Sequence, residues 1–242
     1  NLTTAHYNQM QTEHFTIRYL DQDAAYVSMI AQSAEEAYSQ VGQMFDRQPS
    51  RITTVVVYPN SVALAKSFGW DKDEKAMGVY WGGTIRVLSP KEWLGSPEET
   101  ARFIKEGPMV HEFAHLLVDD ITRGNYNRWW TEGLAQYAEK KITGFEFASP
   151  FGGQDDITYY KLDKLEKDFD RLDQSVAYWE SLQVVEYIAD RYGEDKLFAI
   201  LSHCGQGDFL AEALQKSLGL DYEQFASDFY QYLENYGERC AS

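Results

Sequence analysis

His111-Glu112-Phe113-Ala114-His115 is the stretch that most constrains this chain. On a helix, residues four apart lie on one face about one turn from each other, so both imidazoles can reach one metal ion. The glutamate beside the first histidine then points to the open side of that ion, where it can take a proton from water. Phe113, Ala114, Leu116, Leu117 and Val118 cover the remaining faces with apolar groups. The pattern therefore predicts a partly buried helix, and the helix predicts a metal centre with Glu112 as general base. Two imidazoles with a carboxylate favour zinc, which lowers the pKa of a coordinated water to about 7.

A catalytic zinc takes three protein ligands and keeps one position open. The other histidines, His6, His14 and His203, fall in no motif, so the third ligand is sought among Asp119, Asp120, Glu132 and Glu139. Asp119 continues the four-residue series, but one turn further on it would sit past the metal. Glu132 follows a turn around Gly124-Asn125, with enough chain between to reverse and bring a second helix alongside.

Composition narrows the setting. The net charge of −16 works against nucleic-acid and anionic-membrane partners. No apolar run approaches the roughly 18–20 residues that cross a bilayer. The two cysteines, Cys204 and Cys240, are too few for a four-cysteine zinc cluster and could form one disulfide. The chain starts at Asn1 without a signal-peptide pattern. Read with the possible disulfide, an extracellular or cell-envelope setting is the expectation.

Periodicity gives an α+β chain, strand-rich first and helical after. Glu13 to Leu20 alternates like a strand, with Phe15, Ile17 and Tyr19 on one face. Asp23 to Phe45 carries an apolar stripe at helical spacing. Arg51 to Tyr58 is a β-branched run, and Ser61 to Phe68 a short helix. Gly78 to Leu88 reads as a hairpin turning at Gly82-Gly83. Ser96-Pro97-Glu98-Glu99 has a capping-box pattern that predicts a helix start. The metal helix begins near Gly107-Pro108, another spans about 129–142, and a loop covers 143–156. Further helices are expected near 158–168, 174–192, 194–202, 208–217 and 222–235. The expected division is 1–120, ending in the metal helix, and 121–242, helical and carrying the third ligand.

Trp130-Thr131-Glu132-Gly133-Leu134-Ala135-Gln136-Tyr137 resembles the second zinc-site helix of the gluzincin metallopeptidases, which include thermolysin-like and aminopeptidase-N-like enzymes. It is most similar to the compact peptidase MA-like group, in which Trp-x-x-Glu-Gly-x-Ala-x-Tyr follows His-Glu-x-x-His. The resemblance covers roughly residues 12–235 and implies a zincin-like fold with Glu132 as third zinc ligand beside His111 and His115. It also implies that the hairpin supplies an edge for an extended substrate, with Thr84 to Leu88 as the expected segment. The Ala177-Tyr178 pair resembles a segment whose tyrosine stabilises the oxyanion, which assigns that role to Tyr178, with Tyr126 and His203 as alternatives. Gln136 and Asp119 are candidates for orienting the histidines.

One departure matters. Aminopeptidases of this kind carry a glutamate for the substrate's free amine in Gly-x-Met-Glu-Asn, and here Lys75-Ala76-Met77-Gly78-Val79 has none. The expectation is a zinc endopeptidase with a peptide or protein substrate. The rivals are a zinc-binding interaction or envelope module without turnover, and a zinc hydrolase acting on another class of substrate.

Overall fold

A computed structural model of the chain describes residues 6–69, 76–152 and 157–235. These form one five-stranded mixed sheet and ten α-helices. They divide into two compact units, Asn1–Leu117 with Ala138–Phe145, and Val118–Tyr137 with Glu146–Ser242.

The first unit holds β1 (Asn8–Gln11), β2 (Phe15–Tyr19), α1 (Val27–Met44), β3 (Thr53–Tyr58), α2 (Ser61–Phe68), β4 (Gly78–Trp81), β5 (Thr84–Leu88) and α3 (Thr100–Glu106). It also contains most of α4 (Met109–Thr122) and the end of α5 (Arg128–Thr143). The strand order is β1-β2-β3-β5-β4. The inner strands β2, β3 and β5 run parallel, and β1 and β4 add antiparallel edges. Central β3 reads Thr-Thr-Val-Val-Val-Tyr because both its faces are covered. On one face Val56 and Tyr58 pack with Leu64 of α2. Elsewhere in the unit Phe15 of β2, Tyr38 of α1 and Phe113 of α4 meet with ring centroids 5.8–6.2 Å apart. His14 stacks on Tyr38 and pairs with Glu35 at 2.6 Å.

The hairpin closes as expected. Gly82 and Gly83 have φ of 55° and 83°, the left-handed pair that a two-residue turn demands. Its strands lie otherwise than expected, however. β5 is hydrogen-bonded on both sides, to β3 and β4, so its backbone groups are used within the sheet. Among the described residues β4 is the outer strand on that side, and Thr84 to Leu88 cannot serve as the substrate edge.

Two helix starts differ from expectation, and one strand was not expected. The first helix begins with a 3-10 turn, Asp21–Tyr26, before α1. Glu99 takes the backbone N–H groups of Gly95 and Ser96, but the regular helix α3 starts at Thr100. β1 is a polar, largely exposed edge strand and leaves no apolar alternation to read.

The second unit carries the start of α5 and then α6 (Leu162–Asp168), α7 (Gln174–Tyr192), α8 (Glu194–Gly205), α9 (Leu210–Leu218) and α10 (Tyr222–Glu234). Asp173 caps α7 through the N–H of Val176. Gly133 lets α5 approach α7 closely: a Cβ there would stand 2.3 Å from the carbonyl oxygen of Ser181. Trp129 and Trp130 are fully buried, and the Trp129 indole N–H donates to Glu166 at 2.9 Å. Among the described residues no helix is long and apolar enough to cross a membrane. Among the described residues Cys204 has no disulfide partner, and burial pushes the pKa of its thiol up to about 11. Its candidate partner, Cys240, lies outside the described residues, as does Lys75.

Glu180 of α7 is a carboxyl that folding penalises. It is wholly buried, and Oε2 accepts the Tyr160 N–H at 2.7 Å. Among the described residues Oε1 has no hydrogen-bond partner. Burial raises its pKa from 4.5 to about 8, against smaller lowering effects of the Tyr160 N–H and Lys161. The folded chain then holds a proton that the unfolded chain releases, so stability falls as pH rises from about 4.5 to about 8. Glu180→Gln should gain thermal stability relative to the parent between pH 5 and pH 8. Melting curves at both pH values check this, and an equal difference at both would contradict it.

Candidate metal centre

α4 starts where Gly107-Pro108 ends α3. The Phe103 carbonyl oxygen would lie 2.3 Å from any Cβ at Gly107, so a glycine is required there. From Met109 the helix runs to Thr122, with Phe113, Ala114, Leu117 and Val118 fully buried. That burial turns His111 and His115 to one side, with ring centroids 4.8 Å apart. Arg123 and Gly124, both at positive φ, end the helix. α5 follows and carries Glu132 one turn after its first residue.

His111, His115 and Glu132 each offer a ligand atom, and these atoms lie within 4.8 Å of one another. Tetrahedral ligand atoms at zinc–ligand bonds of about 2.1 Å stand roughly 3.4 Å apart, so the cluster already has the scale of one shared ion. Among the described residues it is the one such group of three or more histidine, cysteine or acidic donors. Burial argues the same way. Glu112, Glu132 and Glu139 are each no more than 6% exposed. Buried carboxylates are costly without countercharge, and a divalent cation supplies it. The donor set therefore fits zinc.

Glu139 is placed to orient His111. Its Oε2 lies 3.2 Å from His111 Nδ1. With the proton on Nδ1, His111 donates to the carboxylate and keeps Nε2 for a metal. Gln136 is used differently: its amide donates to the backbone carbonyls of Glu132, at 3.2 Å, and Tyr178, at 2.9 Å. Glu139 follows Glu132 by seven residues, two turns on one face, a spacing that was available in the sequence.

Arg128 is a second residue that motif reading passed over. Its Nη1 lies 2.6 Å from Glu132 Oε1, one turn along α5. Burial works against its charge, but Glu132, Tyr178 and Asp170 outweigh that and raise its pKa. Nη2 approaches the Tyr178 hydroxyl at 3.4 Å. The alternatives to Tyr178 have other surroundings. Tyr126 is raised by burial and then by Asp119. His203 faces Asp208, 3.4 Å from its Nδ1.

Glu112 also has a close neighbour on the sheet edge. A Cβ on Gly78 of β4 would come within 2.6 Å of Pro108 Cβ and 2.9 Å of Glu112 Cγ. The glycine lets the edge backbone lie directly against the glutamate.

Comparison with known proteins agrees with this geometry. The family model of the Peptidase MA superfamily matches residues 33–235. The chain belongs to that superfamily, whose members are typically metal-dependent peptidases. The match takes in α4 and α5 whole. No curated protein matches the chain.

Glu139→Ala should weaken zinc binding by about 10- to 100-fold, because His111 loses the partner that fixes its ring. Competition with a chromogenic chelator measures this, and an unchanged affinity would refute the orienting role.

Proposed function

We propose that the chain is a zinc-dependent endopeptidase of the gluzincin type, with His111, His115 and Glu132 as ligands and Glu112 as general base. The observation that carries the reading is the convergence of three donors from α4 and α5, two of them buried, within 4.8 Å of one another. Membership of the Peptidase MA superfamily supports peptide or protein substrates.

Zinc, when bound, would polarise the scissile carbonyl and acidify the attacking water. Glu112 accepts a proton from that water and returns it to the leaving amine. Tyr178 donates a hydrogen bond from its hydroxyl to the carbonyl oxygen as negative charge develops. His111 is kept in the ligating tautomer by Glu139.

The substrate pairs with β4. Among the described residues that strand is the outer one on its side, and Gly78 brings its backbone against Glu112. An extended peptide hydrogen-bonded there would present successive carbonyls to the glutamate. The segment Ala76-Met77-Gly78-Val79 offers no carboxylate for a substrate amine, which favours internal bonds over N-terminal ones.

Glu112→Gln should keep zinc affinity within about threefold while kcat/KM falls by about 10²- to 10⁴-fold. Metal content and cleavage of a peptide library, measured on parent and variant together, check both halves. A variant that cleaves like the parent would overturn the assignment.

A further inference from the structure

We propose that Arg128 is a positioning residue which fixes the third metal ligand, Glu132, and the oxyanion donor, Tyr178, with a single guanidinium. The proposal rests on the peptidase reading above.

Arg128, Glu132 and Gln136 follow one another at intervals of four along α5, so they share a face. Two separate ties run from that face to Tyr178. Arg128 bridges the side chains: Nη1 lies 2.6 Å from Glu132 Oε1, and Nη2 donates to the Tyr178 hydroxyl at 3.4 Å. Gln136 bridges the backbones, donating to the carbonyl oxygens of both residues. Asp170 and Phe169 also approach the guanidinium. Asp170 Oδ1 lies 3.6 Å from Nε, and the guanidinium carbon lies 5.9 Å from the Phe169 ring centroid. Phe169 in turn packs on the Tyr178 ring at 5.4 Å.

Two chemical consequences follow from what a guanidinium is. It has five N–H donors in a rigid plane and no acceptor. A carboxylate has two oxygens and about four lone-pair sites, so Arg128 can hold Oε1 without exhausting the ligating capacity of Glu132. A hydroxyl that accepts from Arg128 must direct its own proton elsewhere. Tyr178 is therefore set as a donor, the polarity an oxyanion requires. Lysine could keep the charge beside Glu132, but its compact ammonium lacks the fork that reaches both groups.

The test uses the full chain with Arg128→Gln, Arg128→Lys, Tyr178→Phe and the double variant Arg128→Lys/Tyr178→Phe. Zinc affinity is read by chelator competition, kcat and KM on a cleaved peptide, and folding by circular dichroism and melting temperature. Arg128→Gln should weaken zinc binding by about tenfold or more, as loss of an orienting partner does. Arg128→Lys should hold zinc within about threefold of the parent, yet lose about tenfold in kcat with little change in KM. That variant also guards against a folding defect in Arg128→Gln. Tyr178→Phe should lower kcat and leave zinc affinity alone. The double variant should lose little beyond Tyr178→Phe, since residues that act through one another are not additive. Parent-like zinc affinity in Arg128→Gln, or losses in the double variant that multiply, would overturn the proposal. A parent that cleaves nothing, or a Glu112→Gln protein that cleaves normally, marks failure of the peptidase reading instead.

Discussion

Burying several carboxylates along two helices is the constraint on which this molecule turns. Glu112, Glu132 and Glu139 are almost wholly withdrawn from water, and a bare carboxylate in such surroundings is expensive. The cost is bearable only where cations or well-placed donors answer each one. Glu132 is met by Arg128, Glu139 by the His111 ring, and the two imidazoles share a point with Glu132 at which a divalent ion would complete the balance. Each part then has a reason. The i, i+4 histidines need α4 to be helical, the apolar side of α4 needs the sheet, and the outer face of α5 needs its arginine.

The local packing serves the same end. Phe113, between the site's two histidines in sequence, meets the aromatic rings of Phe15 and Tyr38, which fixes how α4 is rotated. Gly133, next to Glu132, admits the Ser181 carbonyl of α7 and brings up the helix that carries Tyr178. Gly78 admits Glu112 to the sheet edge. Two of these positions require a side chain to be absent, so substitution there displaces a neighbour that has chemical work to do.

Much of this was legible in the sequence, and the limits have physical causes. The helical pattern of the second half, the hairpin at Gly82-Gly83 and the two histidines could be read because each is a local spacing rule, whereas Glu132 was singled out by the resemblance of its helix to a known zinc-site helix. Strand order is not local. Nothing in Thr84 to Leu88 tells whether its second edge is filled, and β3 fills it, leaving β4 as the edge. Strand β1, Asn-Gln-Met-Gln, pairs through its backbone and offers no apolar alternation. The orienting partners fell between these cases. Arg128 and Glu139 stand four before and seven after Glu132, spacings that a helix makes meaningful, but only the fold shows which groups they meet.

The claim at the centre is that one metal ion sits among His111, His115 and Glu132. Diffraction from zinc-loaded crystals, recorded on both sides of the zinc absorption edge, tests it most directly. The account predicts a single strong anomalous peak within bonding distance of both imidazoles and the Glu132 carboxylate. A peak elsewhere, or none at saturating zinc with those three side chains ordered, would contradict it.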